Sequence, residues 1–242
     1  MATINLTELE SIADTASPTP GVSNTALAPR IASPLGIEAD VDASDVRIPR
    51  INLIQKSSEL AEVEGWAPGD IAFAKEVRLL PFGQTGKVTF LHLRRQFQQY
   101  LPWGSTDRPQ VFNTREEVEA AGGSTAFKAA NEYRPIAHLT MLIEQPEISG
   151  DDSSALESYF PLTFNGKNYS LAMWTVGSTA YNNVAKELIS AASMFLRNGI
   201  HRVAWELLVR KEKSGTNTFM VPSIKRAGAH SPEMVEFIEQ LL

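Results

Sequence analysis

The sequence predicts an α+β protein built mainly from antiparallel strands. Three observations favour this class: apolar segments separated by Gly, Pro and Asn turns, an Asn165-Gly166 pair suited to a type I′ hairpin, and amphipathic helical segments at 178–198 and 231–242. Of the 242 residues, 43% are hydrophobic and 21% are charged, which is ordinary for a globular protein. The chain has no cysteine, which excludes disulfides, thiolate metal sites and cysteine nucleophiles.

The chain divides into two regions. Residues 1–46 are rich in Ser, Thr, Pro, Ala and Asp without sustained periodicity, so we predict a flexible N-terminal arm. This arm holds seven acidic residues and one basic residue, a net charge of −6, whereas residues 47–242 carry 21 of each sign. We therefore predict one globular domain over 47–242. The sequence has no signal-peptide pattern and no apolar run of the roughly 20 residues that span a bilayer, which favours a cytoplasmic protein without a membrane partner.

Turn residues divide the first half of the domain into strands. The segment GWAPGD predicts a turn at 65–70. Thr114 and Glu117 have capping-box spacing and predict a short helix that ends near Ala121. The acidic, Ser-rich segment 147–157 is predicted to be an exposed loop. The predicted strands of this half are 71–82, 87–97 and 134–144.

The second half predicts two hairpins and two helices. The hairpins turn at Asn165-Gly166 and at Ser214-Gly215. Ser178 is the predicted N-cap of a long helix that ends before Gly199, and Ser231 with Pro232 starts a C-terminal helix. The apolar face of the long helix is predicted to contain Val184, Leu188, Ala191 and Phe195.

This order of elements favours a particular architecture. Three strands, a helix and two further strands follow one another, which is the chain order of the OB-fold, a five-stranded barrel. We therefore expect an OB-like barrel core with a long helix between strands and a helix at the C-terminus.

Catalytic motifs are absent from the sequence. It contains no P-loop, dinucleotide-binding, zinc-protease or nucleophile-elbow pattern, and its four histidines lack ligand spacing. We predict no enzymatic activity, no metal and no cofactor. The alternative is a metal-dependent nuclease using Glu206 and Lys211, although no second acidic ligand has suitable spacing.

Basic residues interleaved with aromatics are the strongest functional signal. Residues 78–115 carry six bases against Asp107, and residues 197–226 carry seven bases against two acids. Cationic grooves follow phosphates, and aromatic rings stack unpaired bases without sequence readout, so the pattern favours single-stranded nucleic acid. The competing interpretation is that the rings fill the core and the cations are solvated. The predicted binding residues are Arg94, Arg95, Tyr100, Trp103, Lys167, Tyr169, Arg202, Arg210, Lys211, Lys213, Lys225 and Arg226.

The domain also resembles a family of phage-encoded, replication-associated single-stranded DNA-binding proteins of OB-fold type. The resemblance covers residues 47–226 and is carried by RIPRINLIQKSSE with GWAPGD, by YFPLTFNGKNYSLAMWTVGSTAYNNVAKELISA and by AWELLVRKEKSGTNTFMVPSI. It implies single-stranded DNA as the ligand and a role in phage replication or recombination in the host cytoplasm. Many proteins of this function end in an acidic tail that recruits partners, whereas this chain ends FIEQLL and is acidic at 1–46. We expect the arm to contact replication or recombination proteins, or to compete for the DNA groove.

A second functional class stays open at this point. In a structural or assembly protein of a phage particle, the arm and the terminal helix would contact other subunits. The sequence does not fix the oligomeric state, and a homo-oligomer is compatible with either class.

Overall fold

The computed structural model describes residues 48–102, 104–146, 158–196 and 198–242. The predicted arm at 1–46, the predicted loop at 147–157 and Trp103 lie outside the described residues. Within the described ranges the protein is a mainly antiparallel α+β fold with a 17-residue helix between strands and a C-terminal helix, which confirms the predicted class.

The described residues form strands and helices in the following order. The strands are β1 (Ile51–Leu53), β2 (Ile71–Phe73), β3 (Val77–Leu80), β4 (Thr85–Gln99), β5 (Val111–Phe112), β6 (Tyr133–Glu144), β7 (Leu162–Phe164), β8 (Lys167–Gly177), β9 (Val203–Ser214) and β10 (Asn217–Ala229). The helices are α1 (Arg115–Ala120, after β5), α2 (178–194, after β8) and α3 (Pro232–Glu239, at the end).

The strands pair in two antiparallel sheets. A small sheet has the order β1-β2-β3, and the main sheet has the order β10-β9-β4-β6-β8-β7 with β5 paired to β4. The long strand β4 is central because it pairs with β9 over Thr85–Val88 and with β6 over Val88–Gln99. Its pairing with β6 shifts between Phe90 and His92, and such a bulge bends the strand. The bent strand β4 thus pairs with β9 near its start and with β6 along the rest of its length.

The main sheet is not closed by strand pairing in the described part of the chain. The residues before and after β1 lie instead between β8 and β10. The Met173 N–H of β8 donates to the Pro49 carbonyl at 2.9 Å. The Gln55 side-chain amide donates to the Met220 carbonyl of β10 at 2.7 Å and accepts from the Met220 N–H at 2.9 Å. This seam therefore joins β8 to β10 through the segment 49–55.

Several predicted turns and caps are confirmed. Asn165 and Gly166 both have positive φ, 48° and 74°, as a type I′ turn requires. The Thr114 hydroxyl accepts the Glu117 N–H at 3.2 Å, which caps α1. Ser231 likewise caps α3 by accepting the Met234 N–H at 3.3 Å.

Other local predictions are wrong. The segment 71–82 is a hairpin rather than one strand, because Ala74 and Lys75 adopt positive φ angles of 55° and 63° between β2 and β3. Ser178 is not the N-cap of α2, since Gly177 occupies that position. A π-helical turn at Tyr181–Ala185 precedes Lys186–Met194, and the helix ends at Met194. Phe195 consequently lies beyond the helix and is 73% exposed, not on its apolar face.

The core has two main parts. The larger part lies between the inner face of the main sheet, α2 and the small sheet, and it contains Phe90, Trp174, Trp205 and Leu188. The second part lies on the opposite face, where Met234 and Ile238 of α3 contact residues of β4, β6 and β8. We call the side on which α3 packs the outer face. The helix covers one half of it and leaves the other half open.

None of the helices described is both long and apolar enough to cross a lipid bilayer.

Candidate nucleic-acid interface

The open half of the outer face carries a row of polar and cationic side chains. Paired residues on neighbouring antiparallel strands share a face, so Arg94 of β4, His138 of β6 and Thr175 of β8 form one row across the sheet. The next row contains Thr140 and Met173, and a parallel bridge adds Arg50 beside Met173. Arg50 and Arg94 are both exposed and flank the histidine. We call Arg50, Arg94, His138 and Thr175 the cationic row.

The two arginines of this row form no ion pair with another described residue. Arg94 donates from Nη2 to the Asn113 side-chain oxygen at 2.7 Å, and Gln96 donates to the same oxygen at 2.8 Å. This contact positions the guanidinium without neutralising it, because an amide carries no net charge. Among the ion pairs formed by described residues, none includes Arg50 or Arg94. Both guanidinium groups are therefore available to an anion.

His138 lies between these two charges. Its Nδ1 is 2.9 Å from the Thr175 hydroxyl oxygen. Burial lowers the pKa of His138 below its ordinary value, and Arg94 and Arg50 lower it further by repelling the imidazolium. The side chain is therefore neutral at neutral pH. A phosphate placed beside it would favour the protonated form and raise the pKa again.

The β9–β10 hairpin reaches the same region through the seam. A cavity of about 610 Å³ is lined by Thr175, by Gln55 and Lys56, and by β10 residues that include Thr218 and Met220. Lys211 pairs with Met220, and Lys213 pairs with Thr218. Because paired residues share a face, these lysines are directed to the side that borders the cavity. The cavity thus lies between Thr175 of the cationic row and the hairpin, whose two lysines share a face of β9 with the core residues Leu207 and Val209.

A cluster of exposed aromatics lies at the far end of the open face. Gln98 pairs with Arg134 four residues beyond Arg94, and Tyr100 follows the end of β4. The Arg134 guanidinium lies 3.6 Å from the Tyr100 ring centroid and 5.9 Å from that of Phe127. Tyr100 and Phe127 are 49% and 75% exposed. Tyr100 is thus a surface residue.

Several predicted binding residues lie elsewhere. Arg95 is directed to the face opposite Arg94, where its guanidinium lies 4.6 Å from the Phe97 ring centroid. Lys167 forms an ion pair with Glu144 at 2.5 Å and lies eight residues before Thr175 on β8, roughly 27 Å along the strand. The structure therefore separates Arg95 and Lys167 from the cationic row.

The remaining cations are also dispersed. Arg202 forms an ion pair with Glu239 of α3 at 2.5 Å. Lys225 of β10 and Lys87 of β4 both pair with Glu206 of β9. This register places Lys225 on the other side of α3 from the cationic row. Arg226 is exposed on the edge strand β10. The hairpin residues Arg210, Lys211 and Lys213 pair with Val221, Met220 and Thr218, which line the cavity, and Arg210 alternates to the face of β9 opposite the two lysines.

Tyr169 does not present a ring to solvent, contrary to its predicted stacking role. It is 8% exposed and packs beside Phe237 of α3, with the ring centroids 6.0 Å apart. Burial raises the pKa of its hydroxyl above the ordinary value. Tyr169 lies on the outer face, where α3 covers it.

Four residues of this region escaped the sequence prediction. Arg50, Phe127, Arg134 and His138 stand outside the two dense basic segments and become neighbours only through strand pairing. The pair Phe127-Lys128 offered one local signal, because an aromatic residue beside a base in a polar loop has no obvious core role. Arg50 gave none beyond its place in RIPR.

A second concavity carries mixed charge. It has a volume of about 1030 Å³ and is lined by Arg78 and Lys87 as well as by Glu76 and Glu144. The Arg78 guanidinium lies 5.5 Å from the Trp66 ring centroid and forms an ion pair with Asp70 at 3.3 Å. This balance of signs does not favour a polyanion.

The geometry of Glu206 and Lys211 does not support the nuclease alternative. Glu206 and Lys211 are five residues apart on β9, so their side chains alternate to opposite faces. No group of three or more His, Asp or Glu within the described ranges is arranged to hold a metal ion.

Comparison of the chain with protein-family models, with curated proteins and with solved structures finds no match.

Proposed function

We propose that this chain is a sequence-tolerant single-stranded DNA-binding protein that acts in phage DNA replication or recombination. The observation that carries the proposal is the exposed cationic row on the outer face, whose Thr175 lines a cavity shared with residues of the β9–β10 hairpin. Arg50 and Arg94 would neutralise phosphates on the sheet, while Arg210, Lys211 and Lys213 would do so from the hairpin. The phage context rests on the resemblance of residues 47–226 alone.

The shape of this surface favours a single strand over a duplex. Proteins that read duplex DNA commonly insert a basic helix into the major groove. The long helix α2 instead contributes Leu188 and Val184 to the core and contains Lys186 against Glu187. An open sheet face with exposed rings suits unpaired bases, whose π-faces are free to stack.

An OB-like core is part of the same proposal. β4, β6 and β8 form a meander, α2 follows, β9 returns to β4, and β10 pairs with β9. This is the chain order of an OB barrel, with the segment 49–55 bridging the seam where β8 and β10 would pair. OB-folds bind nucleic acid on the face of their second and third strands, between two flanking loops. Those strands correspond to β6 and β8, which carry His138 and Thr175.

The alternative of a phage assembly protein needs the terminal helix for contacts between subunits. Met234 and Ile238 of α3 are buried against the chain's own sheet, so they are not available for that purpose. We therefore favour the DNA-binding proposal.

The test is fluorescence anisotropy of labelled oligo-dT titrated with the full chain at low salt. We expect saturable binding of oligo-dT and of mixed-sequence single strands of equal length, and weaker binding of the matching duplex. Arg94→Glu should weaken binding strongly, whereas Lys225→Glu, the same charge reversal beyond α3, should have a smaller effect. Absence of binding at low salt, together with a defined assembly that ignores oligonucleotides, would favour the assembly alternative and overturn the proposal.

A further inference from the structure

The aromatic cluster at the far end of the open face has an unusual organisation. The flat guanidinium of Arg134 lies between the ring of Tyr100, at 3.6 Å, and the more distant ring of Phe127, at 5.9 Å. Phe127 is 75% exposed although it is a large apolar side chain. A ring exposed to this extent contributes little burial to the fold and leaves its π-face accessible to a ligand.

The cluster is held in place from below by Glu132. This carboxylate is buried and accepts from Arg134 Nε at 2.8 Å and from Arg134 Nη2 at 3.2 Å. It also accepts the Lys128 N–H at 3.2 Å, while its backbone carbonyl accepts the Tyr100 N–H at 2.8 Å. The hydrogen bonds from Arg134 hold the pKa of Glu132 below its ordinary value, so the carboxylate stays charged at neutral pH. One residue thus fixes both the guanidinium and the loop that presents Phe127.

The same contacts decide which part of a nucleic acid fits here. The Nε and Nη2 groups of Arg134, which could bind a phosphate with two hydrogen bonds, already donate to Glu132. What remains available is the exposed Phe127 ring, since the guanidinium plane already contacts the Tyr100 ring. A flat π-surface beside a cation suits a nucleobase, whereas phosphates are better served by Arg94, roughly 14 Å away along the sheet.

We propose that Phe127, Arg134 and Tyr100 form a stacking site for one unpaired nucleobase at the end of the cationic row. The inference rests on the proposed function and extends it by separating base contacts from phosphate contacts. Phe127 presents the stacking ring, Arg134 adds a cation beside the base, and Glu132 is the positioning residue that orients both.

The test compares two oligonucleotides of equal length and charge, oligo-dT and an abasic oligomer, with wild type, Phe127→Ala and Phe195→Ala. Phe195 provides the matched control because it is 73% exposed but lies after α2, outside the cluster. We expect Phe127→Ala to weaken oligo-dT binding by about 5- to 150-fold, the range for loss of one stacked base. Binding of the abasic oligomer should not change, because its phosphates remain. Phe195→Ala should change neither affinity.

Two results would overturn the stacking site while leaving the proposed function intact: oligo-dT affinity that Phe127→Ala does not alter, or an equal loss for both oligomers. If wild type binds neither oligomer, the proposed function fails and the stacking site fails with it. Phe127→Trp supplies an independent readout should the alanine variant not fold. Its additional fluorescence, relative to wild type, should be quenched by oligo-dT and not by the abasic oligomer, and equal quenching by both would contradict the proposal.

Discussion

The salt dependence of DNA binding tests the proposed interface quantitatively. The proposed interface contains five exposed cations: Arg50, Arg94, Arg210, Lys211 and Lys213. If each neutralises one phosphate, the slope of log K against log salt is about −3.5, because a single strand contributes about −0.7 for each contact. Raising the salt from about 50 mM to about 200 mM should then weaken binding by about 100-fold.

Removing two of these contacts should change the slope by a defined amount. For the double variant Arg50→Ala/Arg94→Ala we expect a slope of about −2.1, so the same rise in salt weakens binding by only about 20-fold. Both side chains are exposed, so the free energy of unfolding should change by less than about 0.5 kcal/mol for each. Fluorescence anisotropy with labelled oligo-dT, repeated over a salt series, measures the slopes directly.

A matched control removes equal charge elsewhere. Lys87→Ala/Lys225→Ala deletes two exposed cations from the row that crosses Glu206, on the other side of α3. This variant should lower the affinity for DNA slightly, because the long-range electrostatic attraction is weaker. The slope of log K against log salt should stay near the wild-type value. Equal changes of slope in both double variants would show that binding follows net charge rather than this surface, and the reasoning would be refuted.

Three further predictions concern other parts of the molecule. A bound phosphate should raise the lowered pKa of His138, so that binding of DNA is coupled to the uptake of a proton. Affinity for oligo-dT should therefore rise as the pH falls from about 7.5 to about 5.5. A His138→Gln variant that keeps the full pH dependence would contradict this. Ile238 of α3 is fully buried, so Ile238→Ala should lower the free energy of unfolding by about 2–5 kcal/mol, as measured by urea titration. A loss under about 1 kcal/mol would contradict the packing of α3 against the sheet. Deleting residues 1–46 removes a net charge of −6, so the affinity for DNA should increase at low salt. At high salt the charges are screened, and the affinity of the deletion variant should equal that of wild type. An unchanged affinity at low salt would show that the arm does not compete for the DNA-binding surface.

Local chemistry explains which fold predictions succeeded. The Asn165-Gly166 turn follows from the positive φ that both positions adopt, and the caps at Thr114 and Ser231 follow from side-chain oxygens that satisfy N–H groups at a helix start. Such signals act over three or four residues and need no tertiary partner. The split of 71–82 into two strands lacked a signal of this kind, because Ala74 and Lys75 adopt left-handed conformations without glycine.

The candidate site was harder to predict because it depends on register and on what covers each face. Arg94 and Arg95 are neighbours in sequence, yet strand alternation sends them to opposite faces. Tyr169 and His138 both lie on the outer face, but α3 covers the tyrosine and leaves the histidine open. The sequence alone does not state where a C-terminal helix will pack.

Composition and short-range pattern were enough to establish an antiparallel α+β chain, the Asn165-Gly166 turn, the helix starts at Thr114 and Ser231, and the presence of two basic segments. They could do so because propensity, capping and hydrophobic alternation act between residues close in the chain. The row formed by Arg50, Arg94, His138 and Thr175 required the pairing of β4, β6 and β8, and its place beside β10 required the seam made by residues 49–55. Contacts between residues more than a hundred positions apart arise only when burial of the shared core brings their strands together, and no local signal encodes them.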